Sequence, residues 1–381
     1  MTSTVLVLSF TDHARDPRIH RQIEALSPHY RVISAGLAPS SFPDVSFVSL
    51  VPPARRPSTI LAKARTAALL LAKQYDTVYW RQPLMKHARQ QLEPVPCDLI
   101  VANDIECVPL ALSLSRHTAV IADLHEYAPR EFDEQLKFRL WFRGYVTHLC
   151  RKYLKQASAV ITVCQGIAEE YSKHFGVKPT VVMNAAKYQS LGCREDCMDA
   201  ERVRLVHHGG AFIARKLELM IELTKHLDER FELDLLLVPG TSGYLDRLRR
   251  LARGVSRIRF CDPVPMPQIA QAINRYDMGL YLLPPTNLNS WYSLPNKLFE
   301  FIQGRLAIAI GPSPEMAAIV RKYDIGVVSE DFTPEAMARQ LNGLTKVDIV
   351  RFRRNAELAA RELSAESQQV ILLSVVESVL G

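Results

Sequence analysis

Two doubly wound α/β domains, each built on a parallel sheet, are the fold this sequence predicts, and three observations predict it. Short β-branched runs alternate with helix-period segments along the chain, the pattern of parallel strands joined by crossover helices. The alternation stops once, over Asn184–Arg202, where polar residues replace the hydrophobic period, and then restarts. The chain has 381 residues of which 48% are hydrophobic, enough for two cores of ordinary size.

In the first half, strands are expected at Val5–Phe10, Arg31–Leu37, Thr77–Arg81, Leu99–Asn103, Ala119–Leu124, Ala159–Cys164 and Thr180–Met183. Helices fill the gaps, starting near Pro17, Ser58, Val108, Arg130 and Gly166. The second half places strands at Leu205–His207, Leu233–Val238, Ile258–Phe260, Met278–Leu282, Leu306–Ile310 and Gly326–Val328, each separated by a helical pattern. The expected boundaries are a first domain over 1–185, a linker over 186–202, a second domain over 203–350 and a terminal helical segment over 351–381. In such sheets ligands bind beyond the carboxyl ends of the strands, and a cleft between paired domains is the expected site.

Composition excludes several classes. No apolar run reaches the roughly 18 to 20 residues that span a bilayer, and Met1-Thr-Ser-Thr leads straight into Val5-Leu-Val-Leu8 without the basic start of a signal peptide. A cytoplasmic protein is expected. The seven cysteines are odd in number and mostly embedded in apolar segments, which suits reduced thiols. Cys193 and Cys197 are the only close pair and lack further ligands at zinc spacing, so no metal site is expected. Adjacent His207 and His208 point to opposite faces of a strand, do not share an ion, and are expected to pack.

The net charge of +7 is unevenly placed: residues 1–190 hold 23 Lys plus Arg against 16 Asp plus Glu, whereas 191–381 hold 24 of each. Six of the basic residues fall between Lys137 and Lys155, with no acidic residue and with aromatics at 138, 141, 142 and 145. On a helix those aromatics share a face. Trp141 and Phe142 beside Arg143 therefore suit an interfacial anchor on anionic lipid, while a packed aromatic face with solvated cations would carry the same pattern. No nucleic-acid motif accompanies the charge, and nucleic acid is not expected as a partner.

Ser293-Leu-Pro-Asn-Lys-Leu-Phe-Glu300-Phe-Ile-Gln-Gly304, followed by Leu306-Ala-Ile-Ala-Ile310, concentrates chemistry in one short helix. Pro295 suits the first helical position. The donors on Asn296 and Lys297 then face an anion at the positive end of the helix dipole. Glu300, one turn on, is placed to accept hydrogen bonds from sugar hydroxyls, so the segment suits a nucleotide-sugar clamp. An ordinary amphipathic helix between strands would share the pattern.

Five places together carry a resemblance. Arg15-Asp-Pro-Arg18, Asn103-Asp104 with Pro109, Asp123-Leu-His-Glu126, Gly209-Gly210 with Arg215-Lys216, and Ser293-Leu-Pro-Asn-Lys-Leu-Phe-Glu300 occur in the order and spacing of family 4 of the glycosyltransferases. The chain resembles the retaining, bacterial polysaccharide or glycolipid branch of that family, whose fold is GT-B. The resemblance implies an acceptor-side first domain, a second domain that binds the nucleotide sugar, and a last helix (Phe352 to Leu380) that returns towards the first domain.

The roles below are those the resemblance implies. Arg215 and Lys216 are the diphosphate pair, on which a guanidinium forks and an ammonium adds a point charge. Gly209 and Gly210 admit the ligand closely, and Ser293, Leu294, Asn296, Lys297 and Glu300 complete the donor site, Glu300 on the ribose. His125 faces the cleft with Glu126 and Asp104 and has a positioning or electrostatic role. Asp16 and Arg18 close over donor phosphates or acceptor, although Asp16 also suits the cap of the helix that Pro17 begins. Tyr292 stands where the family often has a first glutamate, which puts the transferred sugar in question; Asn289, Ser290, Trp291 or Tyr292 itself would then meet its hydroxyls. The implied activity is transfer from a UDP or GDP sugar to a lipid-linked or polysaccharide acceptor, with no cofactor and no metal, at the cytoplasmic membrane face. The alternatives are a catalytically weak nucleotide-sugar or glycan-binding subunit, and a GT-B sugar epimerase.

Overall fold

A computed structural model of the protein describes residues 3–52, 60–114, 118–193 and 201–381. The chain divides into two compact units: Met1–Met183 with Asn287–Asn289 and Gln369–Gly381, and Asn184–Thr286 with Ser290–Gln368.

The first unit holds seven strands: β1 (Thr4–Leu8), β2 (Arg31–Gly36), β3 (Ser46–Ser49), β4 (Leu99–Asn103), β5 (Ala119–Leu124), β6 (Ala159–Thr162) and β7 (Thr180–Val181). All pairs are parallel and the order is β3-β2-β1-β4-β5-β6-β7. Helices cover the sheet, which is why β1 and β4 are continuous apolar runs. Val5, Val7, Leu99, Val101, Ile121 and Ile161 pack with Ile19 and Ile23 of helix Pro17–Leu26 and with Leu372 and Val376 of helix Ala365–Leu380. The strand order reverses between β1 and β4, so the crevice of a doubly wound sheet falls at their carboxyl ends.

Three expectations are corrected here. Thr77–Arg81 is not a strand but part of helix Tyr75–Trp80: despite its β-favouring residues, one helical face buries Val78 and Tyr79, and the Tyr79 hydroxyl donates to Glu106 O at 2.6 Å. Strand β3 is an addition to the expected pattern, because Phe47-Val48 is a short, half-buried edge with little periodicity; it is held by pairing Ile33–Gly36 with Ser46–Ser49. The helix expected from Arg130 is a single 3-10 turn over Ala128–Arg130, and regular helix begins only after a π-helical turn at Phe138–Phe142, as Arg143–Tyr153. The expected start at Ser58 lies outside the described residues, as does Cys197; the helix is described from Ile60 to Leu71.

The second unit holds β8 (Val203–Ala211), β9 (Phe231–Pro239), β10 (Ile258–Cys261), β11 (Met278–Tyr281), β12 (Ala307–Ile310) and β13 (Gly326–Val328), all parallel, in the order β10-β9-β8-β11-β12-β13. Leu205, Leu233, Leu235, Leu280 and Ala309 build its core against helices on both faces. The terminal helix expected over Phe352 to Leu380 is two helices, Lys346–Glu362 and Ala365–Leu380, broken at Leu363-Ser364. A capping box between Thr345 and Asp348 starts the first of them. Of the expected linker, residues 194–200 lie outside the described residues. Its earlier part is fastened to the second unit: Arg305 donates to Leu191 O at 3.1 Å and to Gln189 O at 2.5 Å.

Candidate functional site

In the first unit the loop after β4 and the end of β5 converge. Asp104 adopts a left-handed conformation with φ 62°, a strain that non-glycine residues carry where surroundings over-determine it. Its backbone N–H donates to Asp123 O at 2.8 Å, and its carboxylate accepts from the His125 N–H at 3.3 Å. The His125 ring then lies between two carboxylates. Nδ1 is 3.5 Å from Asp104, and Nε2 is 3.7 Å from Asp123 and 3.1 Å from Asn103 Oδ1. Burial works to lower its pKa, but Asp104 and Asp123 outweigh burial and the imidazolium is favoured.

Asp123 is anchored from behind. Arg18 Nε and Nη2 both donate to it at 2.8 Å, and Arg18 Nη1 donates to Val182 O at 2.7 Å. Burial opposes the charge, yet Arg18 and His125 hold the Asp123 carboxyl below the usual range. Gln22 Nε2 bonds Asn103 Oδ1 at 2.8 Å and also Asp123. Arg18 is only 6% exposed, so it braces the strand end and does not close over a ligand as expected. Asp16 is the helix cap: its Oδ1 accepts from the N–H groups of Arg18 and Ile19, and its Oδ2 from the Thr11 hydroxyl.

Asp104, Glu106, His125, Glu126, Glu131 and Tyr171 line a pocket of about 150 Å³. Burial and neighbouring carboxylates push Glu106 up to about 7 and Glu131 up to about 8, so this pocket holds protons near neutrality. Glu126 accepts from Asn289 Nδ2 at 3.0 Å, while Asn289 Oδ1 accepts from the Tyr127 N–H at 2.8 Å. Asn289 is thereby committed to the first unit, and the expectation that it meets sugar hydroxyls is not supported. Trp141 and Phe142 are half-buried and Arg143 is exposed, 3.8 Å from Asp133; Phe138 and Tyr145 are buried in the unit.

In the second unit, β8 runs further than expected and carries His207, His208, Gly209 and Gly210 to its carboxyl end, all paired to β9. Helix Asn296–Gln303 lies beside it. Pro295 is the cap of this helix rather than its first residue, and no side chain caps it. The Lys297 side chain reaches over Gly209. A Cβ built there would lie 2.6 Å from Lys297 Nζ and 3.5 Å from Arg215 Nη1. Arg215 is steadied by a bond from Nη1 to Gly210 O at 3.1 Å and by the Phe212 ring 5.1 Å below it. Lys216, in contrast, is exposed with φ 47°. The cation that the structure brings next to Arg215 is therefore Lys297, not Lys216.

Lys297 is 9% exposed, and no hydrogen bond or ion pair of its ammonium is formed among the described residues. Burial first, and Arg215 second, lower its pKa to about 8. Two cations converge on one glycine with no ion pair to either among the described residues, which is the arrangement an anionic ligand completes. Glu300 is buried one turn along, with Oε2 3.4 Å from His208 Nε2. His208 also stacks edge-on against Phe301 at 5.4 Å. Although Glu300 is near, burial, Lys297 and Arg215 push His208 down to about 3, so its ring is neutral and the pair is not a salt bridge. His208 belongs to this cluster, which sequence reasoning missed by treating both histidines as packing. Only His207 fits that reading, its Nδ1 donating to Leu280 O at 2.8 Å. Ser293 donates to Ser290 O at 3.0 Å and Leu294 is buried, so both shape the turn into the helix. Tyr292 is half-buried beside them.

Two tests arise here. Gly209→Ala places a methyl against Lys297 at φ 118°, and is expected to cost about 1 to 3 kcal/mol of stability and to displace the ammonium; urea titration checks the first part. The second concerns acid. His13, His207 and His208 are buried with pKa values lowered below the ordinary 6.5, chiefly by burial. Below pH 6.5 the unfolded chain takes up protons that these folded rings refuse. Stability from them is complete above that pH and falls as pH drops below about 6.5; for His208 the loss continues down to about 3, at up to about 1.4 kcal/mol per pH unit. His208→Gln shallows this loss in thermal scans across pH.

With both clusters described, the chain can be set beside known proteins. Residues 30–186 match the family model of Glycosyltransferase Family 4. That stretch is similar to the domain of this family. No curated protein matches the chain by sequence. Among solved structures, Anabaena Alr3699/HepE, in complexes with UDP and with UDP-glucose, is similar with TM-score 0.69 and 13% identity over 99% of this chain and 100% of that one. Sucrose-phosphate synthase from Thermosynechococcus elongatus aligns with TM-score 0.72 and 10% identity over 99% and 98% of the two chains. WaaG, a glycosyltransferase involved in lipopolysaccharide biosynthesis, aligns with TM-score 0.62 and 12% identity over 97% and 99%. The two units, with parallel sheets of seven and six strands, match the GT-B fold of these structures.

Proposed function

We propose that this protein is a retaining glycosyltransferase that takes a sugar from a nucleoside diphosphate sugar and passes it to a lipid-linked or polysaccharide acceptor, without a metal ion, at the cytoplasmic membrane face. The observation that carries the reading is the buried Lys297 ammonium, unpaired among the described residues, beside Arg215 over Gly209. Breaking a glycosyl phosphate bond builds negative charge on the diphosphate, and fixed cations in a water-poor site stabilise it without reorganising. In this reading Lys297 and Arg215 perform that task and Glu300 binds the ribose. UDP is the favoured nucleotide, supported by the UDP complexes of HepE at similar fold.

His125, whose positive form Asp104 and Asp123 favour, has an electrostatic and positioning role in this reading rather than that of a general base. Retention does not require a base, since the departing phosphate oxygen takes the acceptor proton on the same face of the sugar. Glu106, Glu126 and Glu131 line the pocket offered to acceptor or sugar hydroxyls. A second reading, a nucleotide-sugar-binding subunit with weak catalysis, rests on Tyr292 at the place of the family's first glutamate. Incubation with a panel of UDP- and GDP-sugars and membrane extract separates them. Release of nucleotide from one donor supports the transferase, whereas binding of a donor with no release above background supports the subunit.

A further inference from the structure

The described surface of the first unit is apolar in one place where the fold gives no reason for it. Helix Ile60–Leu71, with the sequence Ile-Leu-Ala-Lys-Ala-Arg-Thr-Ala-Ala-Leu-Leu-Leu, buries only Leu70. Ile60 is 88% exposed, Leu61 79% and Leu71 71%. The helix packs beside the π-helical turn Phe138–Phe142, and there Leu140 is 70% exposed, with Leu136 just before it at 60%. Isolated exposed leucines need no explanation, but five large aliphatic side chains on two neighbouring segments do.

The charge on the two segments themselves is of one sign, with Glu131, Asp133 and Glu134 directly before the second of them. Residues 60–71 contain Lys63 and Arg65 and no acid, and residues 136–144 contain Lys137, Arg139 and Arg143 and no acid. Lys63, Arg65, Lys137 and Arg139 are exposed and form no ion pair among the described residues. A protein partner of matching shape would need acidic groups around an apolar centre, whereas a bilayer with anionic headgroups presents that combination over a broad surface. No helix among the described residues is long and apolar enough to cross a membrane, so the segment suits lying on one.

We propose that helix Ile60–Leu71 and the turn at Leu136–Leu140 form a monotopic membrane-docking surface: Ile60, Leu61, Leu136 and Leu140 enter the headgroup and acyl boundary, and Lys63, Arg65, Lys137 and Arg139 hold anionic phosphates. This moves the contact away from Trp141 and Phe142, which the fold half-buries. The surface stands independently of the donor site, since none of its residues belongs to that cluster.

Co-sedimentation of the full-length protein with vesicles tests it, using pure phosphatidylcholine and phosphatidylcholine containing phosphatidylglycerol, at low and high salt. Binding is expected to the anionic vesicles and to weaken with salt. Ile60→Ser/Leu61→Ser and Leu136→Ser/Leu140→Ser should each lower the partition coefficient at least about tenfold, as should the fourfold Lys63, Arg65, Lys137 and Arg139 exchange to Gln. All are surface changes, and unaltered melting temperatures confirm intact folding. Trp141→Ala/Phe142→Ala should lower binding less than either serine pair. Partition that is unchanged in both serine pairs overturns the proposal. Light scattering gives a second readout: a dimer that the serine pairs dissociate, with no vesicle binding by the native protein, would also overturn it and give the surface to a second copy of the chain instead.

Discussion

Lys297→Met is expected to melt at a higher temperature than the native protein and to lose most of its response to UDP. Burial and Arg215 depress the lysine to about 8, against 10.5 for the free group, so keeping it charged costs the fold about 3 kcal/mol at neutral pH. For a base with a depressed folded pKa that cost applies at every pH below the free-lysine range. Methionine fills similar volume without the charge and removes the penalty. A bound diphosphate would supply the missing counter-charge, and a charge-assisted contact of this type contributes about 1.5 to 3 kcal/mol, or roughly 10- to 100-fold in affinity. Differential scanning fluorimetry with and without UDP measures both halves. A variant that is less stable than the native protein, with its UDP-induced shift intact, would assign Lys297 to structure alone. Lys216→Met, by contrast, is expected to leave both quantities close to native, because that side chain is exposed.

Arg18→Met is the second large effect, of opposite sign for stability. It strands the Asp123 carboxylate, which is fully buried and receives two guanidinium bonds at 2.8 Å. Leaving one member of a buried pair without its partner costs about 3 to 5 kcal/mol. Equilibrium urea unfolding reads the loss, and Arg18→Met/Asp123→Leu should recover part of it because no charge is left behind. His125 reports the same network by another route. With Asp123 removed, one of the carboxylates that raise its pKa is gone, and its ring titration followed by NMR should move down. Because Arg18 works on His125 in the opposite sense, the comparison is made with Asp123→Leu alone, and a titration identical to the native one would mean that Asp123 does not set it.

Much of the fold was legible because its strands are apolar runs of parallel-sheet type. All six strands of the second unit lie where alternation placed them, the ends of β8 and β9 excepted. The exceptions are instructive. Tyr75–Trp80 carries β-favouring residues, but tertiary contacts, with Asp76 accepting from Lys152 and Tyr153 and Tyr79 reaching Glu106 O, decide for helix. The break at Leu363-Ser364 was invisible because no proline or glycine marks it; Gln303 bonding to Ala360 O and Leu363 O holds the last turn instead.

At the candidate site, the sequence singled out segments that the fold brings together within each unit, but not the directions of their side chains. Arg18 looked available for a ligand and is a brace, since its partner Asp123 lies 105 residues away. Lys297 was placed at a helix start for its backbone donors, whereas its side chain supplies the notable feature, visible only once Gly209 is seen beneath it. The neighbouring positions Arg215 and Lys216 suggested a pair, but Lys216 takes a left-handed conformation that turns the chain into the next helix. A sequence signal for His208 did exist: a histidine directly before two glycines at a strand end, where ligands approach closely.

The central claim is that the second unit binds a nucleotide through its diphosphate, and calorimetric titration of UDP against uridine tests it most directly. If Arg215 and Lys297 hold the phosphates, UDP binds on the order of 100-fold or more tightly than uridine, the difference shrinks with added salt, and Arg215→Gln removes most of it. Equal affinity for UDP and uridine, or an Arg215→Gln variant that retains the full difference, would contradict it.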